Sequence, residues 1–323
     1  MLNEMTSGWI RGLAVTIVAA FALAPSVHAA SPQHTGQAPG FYRMHVGDIE
    51  VVALSDGTFP MPVGQLLKDI TPEALNEALR HAFVADPVEA SVNGFLINTG
   101  RHLVLVDTGA GAMFGPTLGH LVSHLRAAGY TPEQVDEIYI THMHGDHVGG
   151  LVAAGKAVFP NALVRAAEAE SGYWLDTQQR DAAPESAKGG FTSAMTALGP
   201  YVAAGRYKPF HGSTELVPGV EAIEATGHTP GHTAYRVSSR GDSLLLWGDL
   251  MHVAAVQFPN PSVTIAYDSD ADAARSQRLK VFREVAATGV LVGGAHLPFP
   301  GLGHLRVNET RYDFVPLNYA TLH

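Results

Sequence analysis

The residues best suited to chemistry in this chain lie in Thr141-His142-Met143-His144-Gly145-Asp146-His147-Val148-Gly149-Gly150, where three imidazoles and one carboxylate fall within six positions. Side chains of this kind bind divalent cations such as zinc, manganese, cobalt or iron. Three further residues with the same capacity stand apart: His228 in Thr226-Gly227-His228-Thr229-Pro230-Gly231-His232, Asp249 after Gly248, and His296 after Ala295. Cysteine is absent, which excludes disulfides and leaves histidine, carboxylate and backbone oxygen as the only metal ligands. No serine sits in a G-x-S-x-G elbow, so nothing in the chain announces a protein nucleophile.

Each of these residues follows a run that reads as a strand. Val135–Ile140, rich in β-branched and aromatic residues, precedes the histidine loop, and Gly149-Gly150-Leu151 can turn the chain sharply after it. Strands are expected at Val220–Ala225 before His228, at Leu244–Trp247 before Asp249 and at Val290–Gly293 before His296. Ligands on loops held by rigid strand ends are what a metal site requires. Asp56 and Asp107 also follow strand-like runs and are expected to orient ligands and loops, with His232 supporting its own turn; His211, His304 and His323 read as surface residues.

The remaining elements fall into two series. Strands are expected at Phe41–Val46, Ile49–Leu54, Ser91–Asn98 and His102–Asp107, with helices at Thr71–Ala82 and Pro116–Ala128. The second half offers a strand at Ala162–Ala166, a helix at Glu168–Gln178, a helical or irregular insertion over 179–200, a strand at Thr233–Val237 and a charged helix at Ala271–Ala287. Two β-rich halves, each covered by helices, predict an α+β fold: a four-layer α/β/β/α sandwich built from two similar halves.

With 323 residues, 46% of them hydrophobic, the chain can bury a full core. Arg11 precedes an apolar run from Leu13 to Ala24, and Val27 and Ala29 fit a cleavage site, so residues 1–29 are expected to be a signal peptide. That run is too short to span a bilayer comfortably, so no stable membrane insertion is expected. Residues 30–40 read as a flexible leader and 41–323 as one folded domain in an exported, periplasmic or secreted protein. The net charge of −10 is unchanged by removal of residues 1–29, and no basic run is present. Nucleic acid is therefore excluded as a partner.

The order H-x-H-x-D-H, G-H-T-P-G-H, G-D and A-H resembles the metallo-β-lactamase superfamily. Longer segments, namely Tyr42-Arg43-Met44, Ala53–Thr58, Phe114–Gly119 and Ala295–Gly301, resemble its methyl parathion hydrolase branch, which holds exported organophosphate, lactone and aryl-ester hydrolases. The resemblance implies that His142, His144 and His228 hold one divalent metal and Asp146, His147 and His296 a second. Asp249 would lie between them. Zinc is the default ion, with manganese, cobalt and iron as alternatives. A hydroxide shared by two such cations would attack a carbonyl or phosphoryl centre. A homodimer is implied by resemblance alone.

The same comparison places Phe114, Trp174 and Phe191 in an aromatic pocket. It also marks departures: His252 where the organophosphate enzyme has an apolar residue, bulky Ile265 and Tyr267 where it has smaller ones, and Leu66 where it has arginine. These narrow the pocket and add a polar group near the metals. They predict a small neutral lactone or aryl ester as substrate, with organophosphate triesters as the alternative, and with Asp249, Asp146 and His252 as the catalytic residues. A β-lactamase is disfavoured by Asp249, a glyoxalase-type thioesterase by the lack of a basic C-terminal segment, and a nuclease by the acidic charge. A periplasmic protein that binds metal without turnover is the remaining alternative.

Overall fold

The computed structural model describes residues 36–321 together with Ser31 and Gln33. The predicted signal peptide and His323 lie outside the described residues. Two sheets dominate. The first runs in sequence order through β1 (Phe41–Val46), β2 (Ile49–Met61), β3 (Val88–Asn98), β4 (Leu103–Val106), β5 (Glu137–Tyr139) and β6 (Leu163–Arg165). The second runs likewise through β7 (Thr214–Val217), β8 (Val220–Glu224), β9 (Thr233–Ser239), β10 (Asp242–Leu246), β11 (Leu291–Gly293), β12 (Leu302–Asn308) and β13 (Arg311–Pro316). Each sheet opens with three antiparallel pairings and then turns parallel, at β4–β5 and at β10–β11. The two halves are similar, as expected.

Period-two alternation assigns each strand two apolar faces. On the inner face Val51, Ala53, Phe95, Ile97, Val104 and Val106 meet Val220, Ala222, Tyr235, Val237, Leu244 and Leu246 of the other sheet in one core. The intervening Val52, Leu54, Leu96 and Leu105 face helix α5 (Lys188–Ala203) through Ala194, Ala197, Leu198 and Tyr201. On the far side Ala234, Leu245 and Val292 pack against Val281, Phe282 and Val285 of α6 (Ala271–Thr288). Four layers result, α/β/β/α. Among the described residues no helix is long and apolar enough to cross a membrane.

Local signals explain most boundaries. Thr71 caps α1 (Pro72–His81) by accepting from the Ala74 amide, with Pro72 in the first turn. Asp270 does the same for α6, which stops at Gly289 in the left-handed conformation, φ 68°. Several expectations need correction. The helix predicted from Pro116 is shorter, α2 (Leu121–Ala127), because residues 116–120 form a turn at Gly119, whose φ is 86°. The helix predicted over 168–178 is two, α3 (Glu168–Trp174) and α4 (Thr177–Ala182), separated where Asp176 caps the second. Of the two alternatives for the insertion over 179–200 the helical one holds, as the 16-residue α5 that runs on to Ala203, whereas the β12–β13 hairpin was not expected.

Candidate metal centre

The ligand-bearing loops all leave strands at the same end of the two sheets. His142 and His144 follow β5, and a single helical turn, Gly145–Val148, presents Asp146 and His147. His228 lies between β8 and β9, Asp249 just after β10, and His296 just after β11. The histidine loop is seated by Gly150, where a Cβ would lie 1.9 Å from the Thr108 carbonyl oxygen, so only glycine permits the approach.

Seven predicted ligands converge into groups able to hold a metal ion: His142, His144, His228 and Asp249 in one, Asp146, His147 and His296 in another. In the first, His144 Nδ1 stands 3.0 Å from His142 Nε2 and 3.1 Å from His228 Nε2, while Asp249 Oδ2 is 3.6 and 3.5 Å from those two Nε2 atoms. In the second, His147 Nε2 is 3.5 Å and His296 Nε2 3.4 Å from Asp146 Oδ2. Asp249 reaches both groups, with Oδ1 3.3 Å from His147 Nε2 and Oδ2 3.1 Å from His296 Nε2. Ligand atoms held at 2.0–2.1 Å around a tetrahedral zinc stand roughly 3.3 Å apart. The observed spacings surround that value.

The donor chemistry fits as well. His147 Nδ1 faces Asp107 Oδ2 at 2.8 Å, His228 Nδ1 faces Asp268 Oδ1 at 2.9 Å, and His296 Nδ1 faces the Ser91 carbonyl at 2.9 Å. Each acceptor draws the ring proton outward and leaves the Nε2 lone pair aimed inward, the tautomer a metal ligand needs. Burial, reinforced by neighbouring imidazoles, holds His142 and His228 well below the ordinary histidine range and takes His144 down to about 3. Those three rings are neutral donors.

The other side of the site is anionic. Asp249 is 3% exposed, and its ion-pair partners are all imidazoles, with no lysine or arginine among them. Although burial opposes the charge, His147 and its neighbours hold Asp249 and Asp146 below the usual carboxylate range. The same carboxylates overcome burial at His147, which rises well above its normal value, and at His296, which is pushed up to about 8. A buried carboxylate without a fixed cation, as Asp249 is, calls for a bound one. His147 Nε2 and Asp249 Oδ1 have no hydrogen-bond partner, as expected of atoms shaped for an ion.

A family model described as the metallo-beta-lactamase superfamily matches residues 88–296. The chain belongs to this superfamily. Among solved structures of the superfamily, the hydrolase AbOPH is 37% identical, covering 88% of this chain and 100% of its own, with a TM-score of 0.85. AidC, a dizinc quorum-quenching lactonase solved with a homoserine product, is 28% identical, covering 87% and 99%, with a TM-score of 0.81. An N-acyl homoserine lactonase from a Bacillus species is 26% identical over 161 residues, 50% of this chain and 56% of the relative. The chain thus spans about half the length of the curated relatives it matches.

Around this superfamily site the predicted pocket residues divide. Trp174 stands edge-on to His144, ring centroids 5.3 Å apart, and Phe114, 54% exposed, lies over Gly145 of the histidine loop. His252 is buried beside Asp249, its Nε2 3.1 Å from Asp249 Oδ2 and its ring stacked on His296 at 5.3 Å; neither ring nitrogen has a hydrogen-bond partner. Tyr267, 41% exposed, is 6.1 Å from the His252 ring. Two assignments are corrected. Phe191 is 1% exposed and packs behind Trp174 at 4.8 Å, so it supports the wall without forming its face. Ile265 is 2% exposed in a core with Met61, Val63 and Leu67, where the partly buried Leu66 also packs. Ile265 is held inward by its short strand pairing with Leu67.

The supporting residues were only partly foreseen. Asp107 binds the Thr141 amide and hydroxyl as well as His147, and it holds a left-handed backbone, φ 57°, a conformation aspartate tolerates better than most. Asp56 instead anchors the loop that carries Phe114, accepting from the amides of Ala110, Gly119 and Leu121. His232 braces its neighbour, accepting from the Asp249 amide. Asp268, Glu170, Arg278 and Phe59, whose ring meets His296 edge-on at 6.3 Å, were missed. Arg278, wholly buried on α6, donates to the carbonyls of Leu250, Pro261 and Val263 and so ties together the two loops that bear His252 and Tyr267. No short motif marks these residues, because their partners are tens of positions away.

Proposed function

We propose that this protein is a dinuclear-metal hydrolase that opens small neutral lactones, with aryl esters as secondary substrates and phosphotriesters turned over weakly. The observation that carries the reading is the convergence of all seven ligands beside an aromatic wall, in a chain similar along 87% of its length to a dizinc lactonase. Zinc is the ion proposed for both positions, His142, His144 and His228 holding one and Asp146, His147 and His296 the other, with Asp249 between.

When bound, two such cations would bring the ionisation of a water down toward neutral pH and polarise the carbonyl of the substrate. The remaining work belongs to the chain. Asp107 and Asp268 keep His147 and His228 in the donor tautomer and fix their rings. Trp174 and Phe114 form an apolar approach that suits a flat neutral ester or an acyl chain and excludes water from one side. Opening a lactone breaks the bond between the acyl carbon and the ring oxygen, and the departing alkoxide must take a proton. His252 stands with Nε2 facing Asp249 and Nδ1 without a partner, placed to give that proton or to hold the substrate.

Two measurements test this reading. At equal metal loading, kcat/KM for an acyl-homoserine lactone and for dihydrocoumarin should exceed that for methyl parathion by about tenfold or more, a difference of roughly 1.4 kcal/mol at the transition state. A phosphotriester value above both lactones would reverse the assignment. Replacement His252→Leu should lower lactone kcat by on the order of 10²-fold, the lower end for a proton donor, while leaving the bound metal unchanged. Unaltered lactone turnover would remove His252 from the mechanism.

A further inference from the structure

Helix α3 carries a carboxylate with no part in the chemistry above. Glu170 is wholly buried, and among the described residues its partners are two amides and a hydroxyl, with no cation. Its Oε1 accepts from the amide of Met143 at 2.8 Å, and its Oε2 accepts from the Thr229 hydroxyl and the Gly231 amide, each at 2.8 Å. Met143 lies between His142 and His144, and Thr229 and Gly231 follow His228. One side chain therefore joins the two loops that supply the three imidazoles of the first group.

The arrangement is built closely around that carboxylate. A Cβ on Gly231 would lie 2.3 Å from the Glu170 amide nitrogen, so glycine is what lets the His228 loop reach the helix. All three partners are donors, and two are backbone amides that no other side chain satisfies. An amide side chain at this position would turn its NH₂ toward at least one of those donors. One turn further along the same helix, Trp174 contacts His144.

We infer that Glu170 is a positioning residue for the first metal position: it sets the distance between the His142–His144 loop and the His228 loop, so that the three donor nitrogens stand close enough to share one ion. The separation across the two loops, 3.1 Å from His228 Nε2 to His144 Nδ1, is the quantity it controls. Thr229 acts with it, holding the second carboxylate oxygen.

The inference rests on the metal-centre reading and is independent of which ester is hydrolysed. Its test uses the full-length protein, Zn²⁺ as the probe and a chromophoric chelator as competitor. Wild type, Glu170→Gln and Thr229→Val are compared for zinc affinity, and for thermal midpoint with and without zinc. Residues that orient ligands change metal affinity by about 10–100-fold. Glu170→Gln should weaken the tighter or the weaker of two zinc sites by about tenfold, and Thr229→Val, which removes one of three donors, by less. The gap between zinc-loaded and zinc-free midpoints should shrink in the same order. Equal falls in both midpoints with wild-type zinc affinity in both variants would make Glu170 a structural residue only and overturn the proposal. A wild-type protein that binds no zinc would instead defeat the metal-centre reading itself.

Discussion

Asp249→Asn is expected to abolish hydrolysis, lowering kcat by on the order of 10³-fold or more, about 4 kcal/mol of transition-state stabilisation. The reason is position. Among the described residues Asp249 is the single carboxylate within 3.1–3.6 Å of imidazoles from both groups, Oδ2 toward His142, His228 and His296 and Oδ1 toward His147. Two divalent cations roughly 3.5–4 Å apart repel one another, and an anion between them offsets that repulsion. Asparagine keeps the shape and one acceptor oxygen but removes the charge, so the variant should fold and lose at least one ion per chain. Metal content by atomic emission, read beside kcat, checks both halves. Asp146→Asn provides the contrast, because Asp146 touches only His147 and His296. It should depopulate one position and spare the other. Full metal content and near-normal turnover in Asp249→Asn would mean that Asp249 does not join the two positions.

How much of this was legible beforehand depends on distance along the chain. The seven ligands could be read because each stands at the end of an apolar run in a short motif, and strand ends are where sheets deliver side chains to a common edge. The layered fold could be read because strand-like runs precede helical ones in both halves. Phe191 and Trp174 look alike in sequence, but α5 brings Phe191 in behind α3, and only the packing shows which ring faces His144. α5 was only half legible, as an insertion either helical or irregular, because Gly189-Gly190 and Gly199-Pro200 ordinarily argue against a helix. The β12–β13 hairpin was hidden because Leu302–Asn308 turns polar and exposed after Leu305. Asp268 and Glu170 carried no signal at all. Asp268 meets His228 across 40 positions, and Glu170 meets its partners across 27 to 61.

Removal and return of metal should have the other large effect. Stripping the protein with a chelator is expected to eliminate lactone hydrolysis and to lower the thermal midpoint. Ions that bind only the folded chain stabilise it by about 4 kcal/mol when present at 1,000 times their dissociation constant, a shift on the order of 10 °C for a domain of this size. The buried charges give the sign. Among the described residues Asp249 and Asp146 have imidazoles as their only ion-pair partners, so losing the ions leaves carboxylates balanced there by protonated histidine. The decisive measurement is a zinc titration of stripped protein with the initial rate of acyl-homoserine lactone opening followed at each addition. A dinuclear lactonase predicts a rate near zero without zinc that reaches its plateau only when two equivalents per chain are bound. A plateau at one equivalent, or lactone opening by the stripped protein, would contradict it.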